Sequence, residues 1–309
     1  MKAMVCKAYG PPEVLQLAEV PKPIPTDDEV LIRIRATAVT MSDIFIRSSD
    51  LPLRMRIPMR LMLGITRPRR PIIGEVLAGE VEAVGRNIRR FSVGDKVCGV
   101  TGFSLGAYAE YKCMRETDSN QGCLARMARN ISFEEGTMAA YGGALALQFL
   151  DRSFCGPGRK VLVYGASGTT GTTAVQLARH WGASVTAVCG PTHAALVRSL
   201  GASEVLDYTG SDALGPAQRF DFVLDAVGKA KTSPLKDACK RALKPSGKYA
   251  SIDDASLELV AARLESLMGL IEAGHVHPVL DRCYPFEQLP EAHAYVARGH
   301  KAGGVAITV

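Results

Sequence analysis

The stretch Gly165-Ala166-Ser167-Gly168-Thr169-Thr170-Gly171 constrains this chain more than any other, because it stands between two segments of different grammar. Ahead of it, Lys160-Val161-Leu162-Val163-Tyr164 is a short apolar run of the kind that forms a buried strand. Behind it, Thr172 to Trp181 carries helical spacing. Strand, glycine turn and helix together are the context that a dinucleotide fingerprint requires. In such a turn Gly165 allows the tight bend, Gly168 lets backbone N–H groups approach a pyrophosphate, and Gly171 permits close helix-to-strand packing. The helix N-terminus then stabilises phosphate charge. The spacing is G-x-x-G-x-x-G rather than G-x-G-x-x-G, so the flanking strand and helix carry the reading.

A site for NAD places a carboxylate on the adenosine ribose about twenty residues after the first glycine, at the end of the second strand. Ser184 to Cys189 reads as that strand, followed by Gly190-Pro191-Thr192-His193. No acid occurs until Glu204, so nothing in this run repels a 2′-phosphate, and NADPH is expected over NADH. Thr192 and Tyr208 are candidate hydroxyl donors to that phosphate, and His193 or Arg198 candidate charges. An ordinary surface role is the alternative for each.

Strands and helices alternate from about Ile131 to Pro278, which implies a parallel sheet. Phe133 to Leu150 is spaced as a helix, and His193 to Leu200 as another, stopped by Gly201. Val205 to Asp207, Phe220 to Leu224 and Lys248 to Ile252 read as strands, the last after the turn Pro245-Ser246-Gly247. Ser256 to Ala273 reads as a helix ended by Gly274. Before Ile131 the chain offers short apolar segments around Met4 to Ala8, Val30 to Ala38, Ala78 to Gly85 and Val97 to Val100, separated by proline-dense stretches. They read as a folded-over β domain, to which the terminal Val305 to Val309 returns.

Composition narrows the class. With 309 residues there is room for two ordinary domains. There is no apolar run of about eighteen residues and no charged-then-apolar leader, so a soluble cytoplasmic protein without a membrane span is expected. The eight cysteines are scattered without a C-x-x-C pair, which argues against a disulfide scaffold or zinc knuckle. The net charge of +6 matches in size the six arginines between Arg54 and Arg70, a stretch without an acid. A solvated loop is the plain reading. Docking on nucleic acid or an acidic membrane is the alternative, although no aromatic residue interleaves there to stack on bases.

Several further segments join the glycine turn: Met1-Lys2-Ala3-Met4, Ala78 to Gly85 followed by Phe91 to Val97, Gly106-Ala107-Tyr108-Ala109-Glu110-Tyr111, Leu200-Gly201-Ala202, Asp207-Tyr208 and the tail Gly299 to Val305. With them the chain resembles, along nearly its whole length, the zinc-less quinone oxidoreductase branch of the medium-chain dehydrogenase/reductase superfamily, of zeta-crystallin type. The resemblance implies an α/β protein with a GroES-like catalytic domain, residues 1–128 and 279–309, and a Rossmann domain with a doubly wound parallel sheet, residues 129–278. Nicotinamide would meet substrate in the cleft between them. NADPH contacts are implied for Ser167, Gly168, Thr169 and Thr170 at the phosphates, in the turn that also holds Gly165, Ala166 and Gly171. Cys189, Thr192 and Tyr208 would lie toward the adenosine phosphate, Ala226 and Val227 after a strand, and Ser251 and Ile252 near the nicotinamide. The chain departs from the pattern at Gly190, where a serine is usual, and at Leu145, where a threonine is usual. The region after Ile252 is also short, which bears on the homodimer that the resemblance allows.

Zinc-using relatives carry a cysteine just before a hydroxyl-acid pair and a histidine in a G-H-E motif, because a catalytic zinc needs about three soft or imidazole ligands. Here the two places hold Thr40 and Glu75, in Thr40-Met41-Ser42-Asp43 and Gly74-Glu75-Val76. No metal is expected. Hydride would then pass to an already activated acceptor, a quinone or enone, with protonation from a hydroxyl or water. Ser42, Asp43 and Tyr108 are the candidates for catalysis. The plain alternatives are a turn or helix cap for the first two and a packed aromatic for Tyr108. An NADPH-binding regulatory or structural protein without turnover is the rival reading, and an enoyl or alkenal reductase a second.

Overall fold

The computed structural model describes the chain except residues 49–52, 210–213, 215–217, 230 and 300; the side chains of 53–56 also lie outside the description. Arg54 and Arg56 of the basic patch and His300 of the tail therefore fall outside it in whole or in part.

The alternating segment forms a five-stranded sheet in the order Glu204–Asp207, Ser184–Cys189, Lys160–Tyr164, Phe220–Asp225, Leu243–Ser251. Every pairing in it is parallel. Parallel strands are covered on both faces, and all six residues of Phe220–Asp225 are buried accordingly. The first strand in sequence, Lys160–Tyr164, lies in the middle, so the chain winds outward one way and then the other. The crevice at that reversal, outside the carboxyl ends of the strands, is where such sheets bind ligands.

A second, seven-stranded sheet gathers both ends of the chain. Glu29–Ala38 is its spine. That strand pairs antiparallel with Val76–Val84 along its length, with Tyr111–Arg115 beside its first half and with Gly304–Thr308 beside its last residues. The register Thr37↔Leu77 sets the exit of one strand against the entry of the other. Thr40 and Glu75, 35 positions apart in sequence, thereby become neighbours. A small hairpin of Lys2–Cys6 and Leu15–Glu19 stands apart.

The run from Phe133 to Phe149 links the two sheets. Ser132 caps it in a reciprocal capping box with Glu135. The helical spacing is real but interrupted: Phe133–Met138 and Ala144–Phe149 are α-helical, and Ala139–Gly143 widens into a π-turn. A Cβ on Gly142 would sit 2.4 Å from Thr169 Cγ2, and one on Gly143 would sit 2.3 Å from Leu267 Cδ2, so only glycine lets this turn approach so closely.

Four expectations need correction. Pro245-Ser246-Gly247 lies inside the strand Leu243–Ser251 as a register irregularity rather than ahead of it. The late helix begins at Ala261, not Ser256, because Ser256 O and Glu258 N–H bond to the Gln148 side chain in place of helical partners. The arginine-rich stretch starts as a helix, Leu53–Leu63, since its leucines, methionines and arginines are good helix formers. The last thirty residues, whose sequence reads as strand-like pieces, also hold a helix, Leu289–Ala297, between the strands Leu280–Pro285 and Gly304–Thr308.

Candidate active site

The three glycines of the turn differ in what requires them. Gly165 has φ +82°, and a Cβ there would lie 2.4 Å from Val227 Cγ1. A Cβ on Gly171 would lie 2.2 Å from Gly165 O. The chain's own packing therefore demands both. Gly168 has φ −76° and ψ 171°, which any residue adopts, and its Cβ would meet nothing nearer than Gly165 O at 3.6 Å. Nothing among the described residues asks for glycine there, whereas a ligand lying against the backbone would. The helix Thr169–His180 starts at Gly168 without a side-chain cap. Its first amides, which have no intrahelical acceptor, are left for an anion. Ala166 is fully buried, and its N–H is given to Val188 O at 3.0 Å, so it shapes the turn.

The remaining cofactor candidates sit at the same end of the sheet. Ala226 and Val227 are half-buried, and Asp225 holds their loop: its Oδ1 accepts from Val227 and Gly228 N–H, both at 3.2 Å. Its Oδ2 meets the Lys236 ammonium at 2.6 Å. Ser251 is fully buried and donates its hydroxyl to Asp225 at 3.3 Å, so its side chain braces the loop, while Ile252 is half-buried. Cys189 is buried at the end of its strand; Thr192 is exposed in the turn Pro191–His193, and Tyr208 is 40% exposed beside Gly190. The sequence spacing concealed one acid, for the register sets Asp207 opposite Cys189. Its Oδ1 accepts from Thr209 N–H at 2.8 Å and hydroxyl at 2.7 Å, which turns it toward its own loop.

The C-terminal tail reaches this turn as well. Gly303 N–H donates to Ser167 O at 2.6 Å, and the Lys301 ammonium donates to Thr169 Oγ1 at 3.0 Å. Burial pulls Lys301 down to about 8. Sequence reading placed Lys301 in the tail motif only and missed its position at the helix start.

A cluster of hydroxyls and carboxyls lies where the spine strand exits. Asp43 is fully buried; its Oδ2 accepts from Thr40 N–H at 2.9 Å and from Thr40 Oγ1 at 2.8 Å, while Oδ1 has no hydrogen-bond partner. Glu75 Oε2 lies 3.4 Å from Thr40 Oγ1. Ser42 Oγ is 2.8 Å from Tyr141 Oη, in the π-turn, and lies beside the Glu75 carboxyl. Burial, then the charge of Asp43, pushes Glu75 up to about 8, and burial pushes Asp43 up to about 6. Burial likewise raises Tyr141. Since Gly142 abuts Thr169, the π-turn places Tyr141 between this cluster and the glycine turn.

Tyr108 is 0% exposed and stands behind the cluster. Arg47 Nε–H donates to His293 Nδ1 at 3.3 Å, which leaves the proton of the neutral ring on Nε2, 3.0 Å from Tyr108 Oη. Burial, with Arg47 adding repulsion, drives His293 down to about 3. The structure thus brings Ser42 and Asp43 together with Glu75 and Tyr141, and sets Tyr108 in the core. Glu75 was noticed in the sequence only as a missing histidine. Tyr141 and His293 gave no sequence signal, because strand register and helix packing create their contacts.

A nucleotide turn at a sheet reversal, facing a β-rich domain that supplies hydroxyls and carboxyls, defines a two-domain nucleotide-cleft protein of GroES-like and Rossmann type. Comparison with known families agrees. The alcohol dehydrogenase GroES-like domain matches residues 26–143, and the zinc-binding dehydrogenase family matches residues 169–253 and 256–307. The mouse protein "NAD(P)H oxidoreductase RTN4IP1, mitochondrial" is 28% identical over 356 residues, covering 100% of this chain and 89% of its own. The Arabidopsis thaliana "NADPH-dependent alkenal/one oxidoreductase, chloroplastic" is 29% identical over 331 residues, covering 99% and 79%. The solved quinone oxidoreductase of Coxiella burnetii shares the fold with a TM-score of 0.81 at 23% identity, over 100% of this chain and 99% of that one. The chain belongs to the medium-chain dehydrogenase/reductase superfamily.

Proposed function

We propose that this protein is an NADPH-dependent oxidoreductase that reduces a quinone or another activated carbonyl or enone acceptor. The observation that carries the reading is Gly168, a glycine whose Cβ position meets only Gly165 O, at 3.6 Å, on an uncapped helix start. The names of the relatives, an NAD(P)H oxidoreductase and an NADPH-dependent alkenal/one oxidoreductase, support the cofactor and the acceptor class.

Bound NADPH supplies a hydride. Ser167, Gly168, Thr169 and Thr170 would hold its phosphates; Thr192 and Tyr208 would lie toward its adenosine, and Ala226, Val227 and Ile252 toward the nicotinamide. The helix start stabilises phosphate charge, and positioning of a bound cofactor against its substrate contributes much of a rate. The donors at the place of the family's zinc are the Thr40 hydroxyl and the Glu75 and Asp43 carboxyls. A catalytic zinc takes three ligands, mostly imidazole or thiolate, so these residues do not fit one and no step is derived through a metal. An acceptor already conjugated to a carbonyl needs no Lewis acid, which selects quinones and enones over plain alcohols. No described helix is long and apolar enough to cross a membrane. The free cysteines fit a reducing compartment, and we place the enzyme in the cytoplasm.

The test is loss of reduced-nicotinamide absorbance with purified protein, NADPH or NADH, and a panel of quinones and enones. NADPH oxidation with one acceptor class is expected. Tight NADPH binding without turnover against the whole panel would favour the regulatory reading instead.

A further inference from the structure

Thr40 Oγ1 has one hydrogen to give. It lies 2.8 Å from Asp43 Oδ2 and 3.4 Å from Glu75 Oε2, and it accepts Asp43 N–H at 3.1 Å. A hydroxyl cannot donate to both carboxyls at once. With both carboxyls ionised, Glu75 Oε2 would face Thr40 Oγ1 without a hydrogen between them, so a proton on one carboxyl is the arrangement that fills both contacts. Among the described residues Arg47, the cation of the same helix, does not replace that proton, because it is committed to His293 Nδ1 and Gly10 O. The groups facing Glu75 are Thr40 and, from helix Met41–Ser48, Ser42 and Asp43, with Tyr141 from the π-turn; Tyr108, Arg47 and His293 stand behind Asp43.

We propose that Glu75 is the proton donor of the reduction: as the protonated member of a one-proton pair with Asp43, it passes its proton through the Ser42 hydroxyl to the oxygen of the reduced acceptor. This rests on the reductase reading. Hydride addition to a quinone or enone delivers two electrons and one proton, forms one bond to hydrogen and leaves an anionic oxygen. The Ser42 O–H bond breaks as the new acceptor O–H bond forms, and the Glu75 O–H bond breaks as Ser42 regains its hydrogen. Glu75 is left as a carboxylate beside Asp43, and water restores its proton. Tyr141, 2.8 Å from Ser42, is a positioning residue that fixes the hydroxyl between donor and cleft. Burial, and then the adjacent charge of Asp43, keep the proton on Glu75 at neutral pH.

The experiment has two readouts on the full-length protein. Infrared spectra without cofactor should show a buried carboxylic-acid band at pH 7 that disappears as pH rises past about 8 and is lost in Glu75→Gln. In Asp43→Asn the band should disappear at lower pH, because the repelling charge is gone. With NADPH and an accepted quinone, Glu75→Gln should lower kcat about 100-fold with KM near wild type, and the decline of kcat on the alkaline side should vanish. Absence of an acid band in the wild type at pH 7, or a Glu75→Gln enzyme with wild-type kcat and pH dependence, overturns the donor while leaving the reductase intact. Failure of the wild type to oxidise NADPH with any acceptor overturns the reductase reading, and the donor with it.

Discussion

Two glycines three positions apart, Gly168 and Gly171, make opposite demands. Gly171→Ala puts a Cβ 2.2 Å from Gly165 O, which must shift backbone. Overpacking of that kind costs about 1–3 kcal/mol, to be seen as a lower denaturation midpoint. Gly168→Ala meets only ordinary contact distances in the protein. Its stability should stay within about 0.5 kcal/mol of wild type, while NADPH affinity measured by calorimetry falls at least tenfold, about 1.4 kcal/mol. Equal losses of stability in both variants would mean that Gly168 serves packing after all. The turn was legible in the sequence because its residues are contiguous and each glycine has a local reason. The donor cluster was not: Thr40, Glu75 and Tyr141 come from three separate elements, and only the register Thr37↔Leu77 and the π-turn bring them together.

Among the elements, strands of the parallel sheet were the most readable, because continuous burial leaves an unbroken apolar run such as Val161 to Tyr164. Short helices were the least. Met41–Ser48 and Pro234–Arg241 span only two turns or so, too few for a periodic pattern to stand out. The π-turn Ala139–Gly143 has no signature beyond its paired glycines, yet it joins the two halves of the site. Gly142→Ala should push the turn off Thr169, since a Cβ would come within 2.4 Å of Thr169 Cγ2 and 2.9 Å of Thr169 C. We expect a weaker NADPH affinity and a lower kcat from this single methyl group, although residue 142 touches neither the Ser42–Glu75 contacts nor the Gly168 backbone. Kinetics and calorimetry matching wild type would show that the turn is loose enough to yield.

Across the whole molecule, the two chain ends are tied by contacts of long sequence separation, such as Arg47 to His293 over 246 residues and Tyr108 to His293 over 185. Buried His293 and half-buried Glu75 give that architecture a pH signature of opposite signs. His293 is lowered to about 3 from 6.5, so the unfolded chain takes up its proton first and stability falls as pH drops through that window. Glu75 is raised to about 8 from 4.5, so the folded chain holds its proton longer and stability falls as pH rises between those values. Urea midpoints should show Glu75→Gln gaining on wild type from pH 5 to pH 8, and His293→Gln gaining on it from pH 7 to pH 4. Parallel curves for wild type and variants would contradict both burials.

In the proposed reaction hydride leaves NADPH bound at the glycine turn for an activated acceptor. Single-turnover mixing tests it most directly: protein preloaded with NADPH is mixed with excess quinone or enone while reduced-nicotinamide absorbance is followed. The wild type should show a rapid first-order loss that disappears in the folded Gly168→Ala variant. A stable absorbance in the wild type with every acceptor, or an undiminished loss in Gly168→Ala, would contradict it.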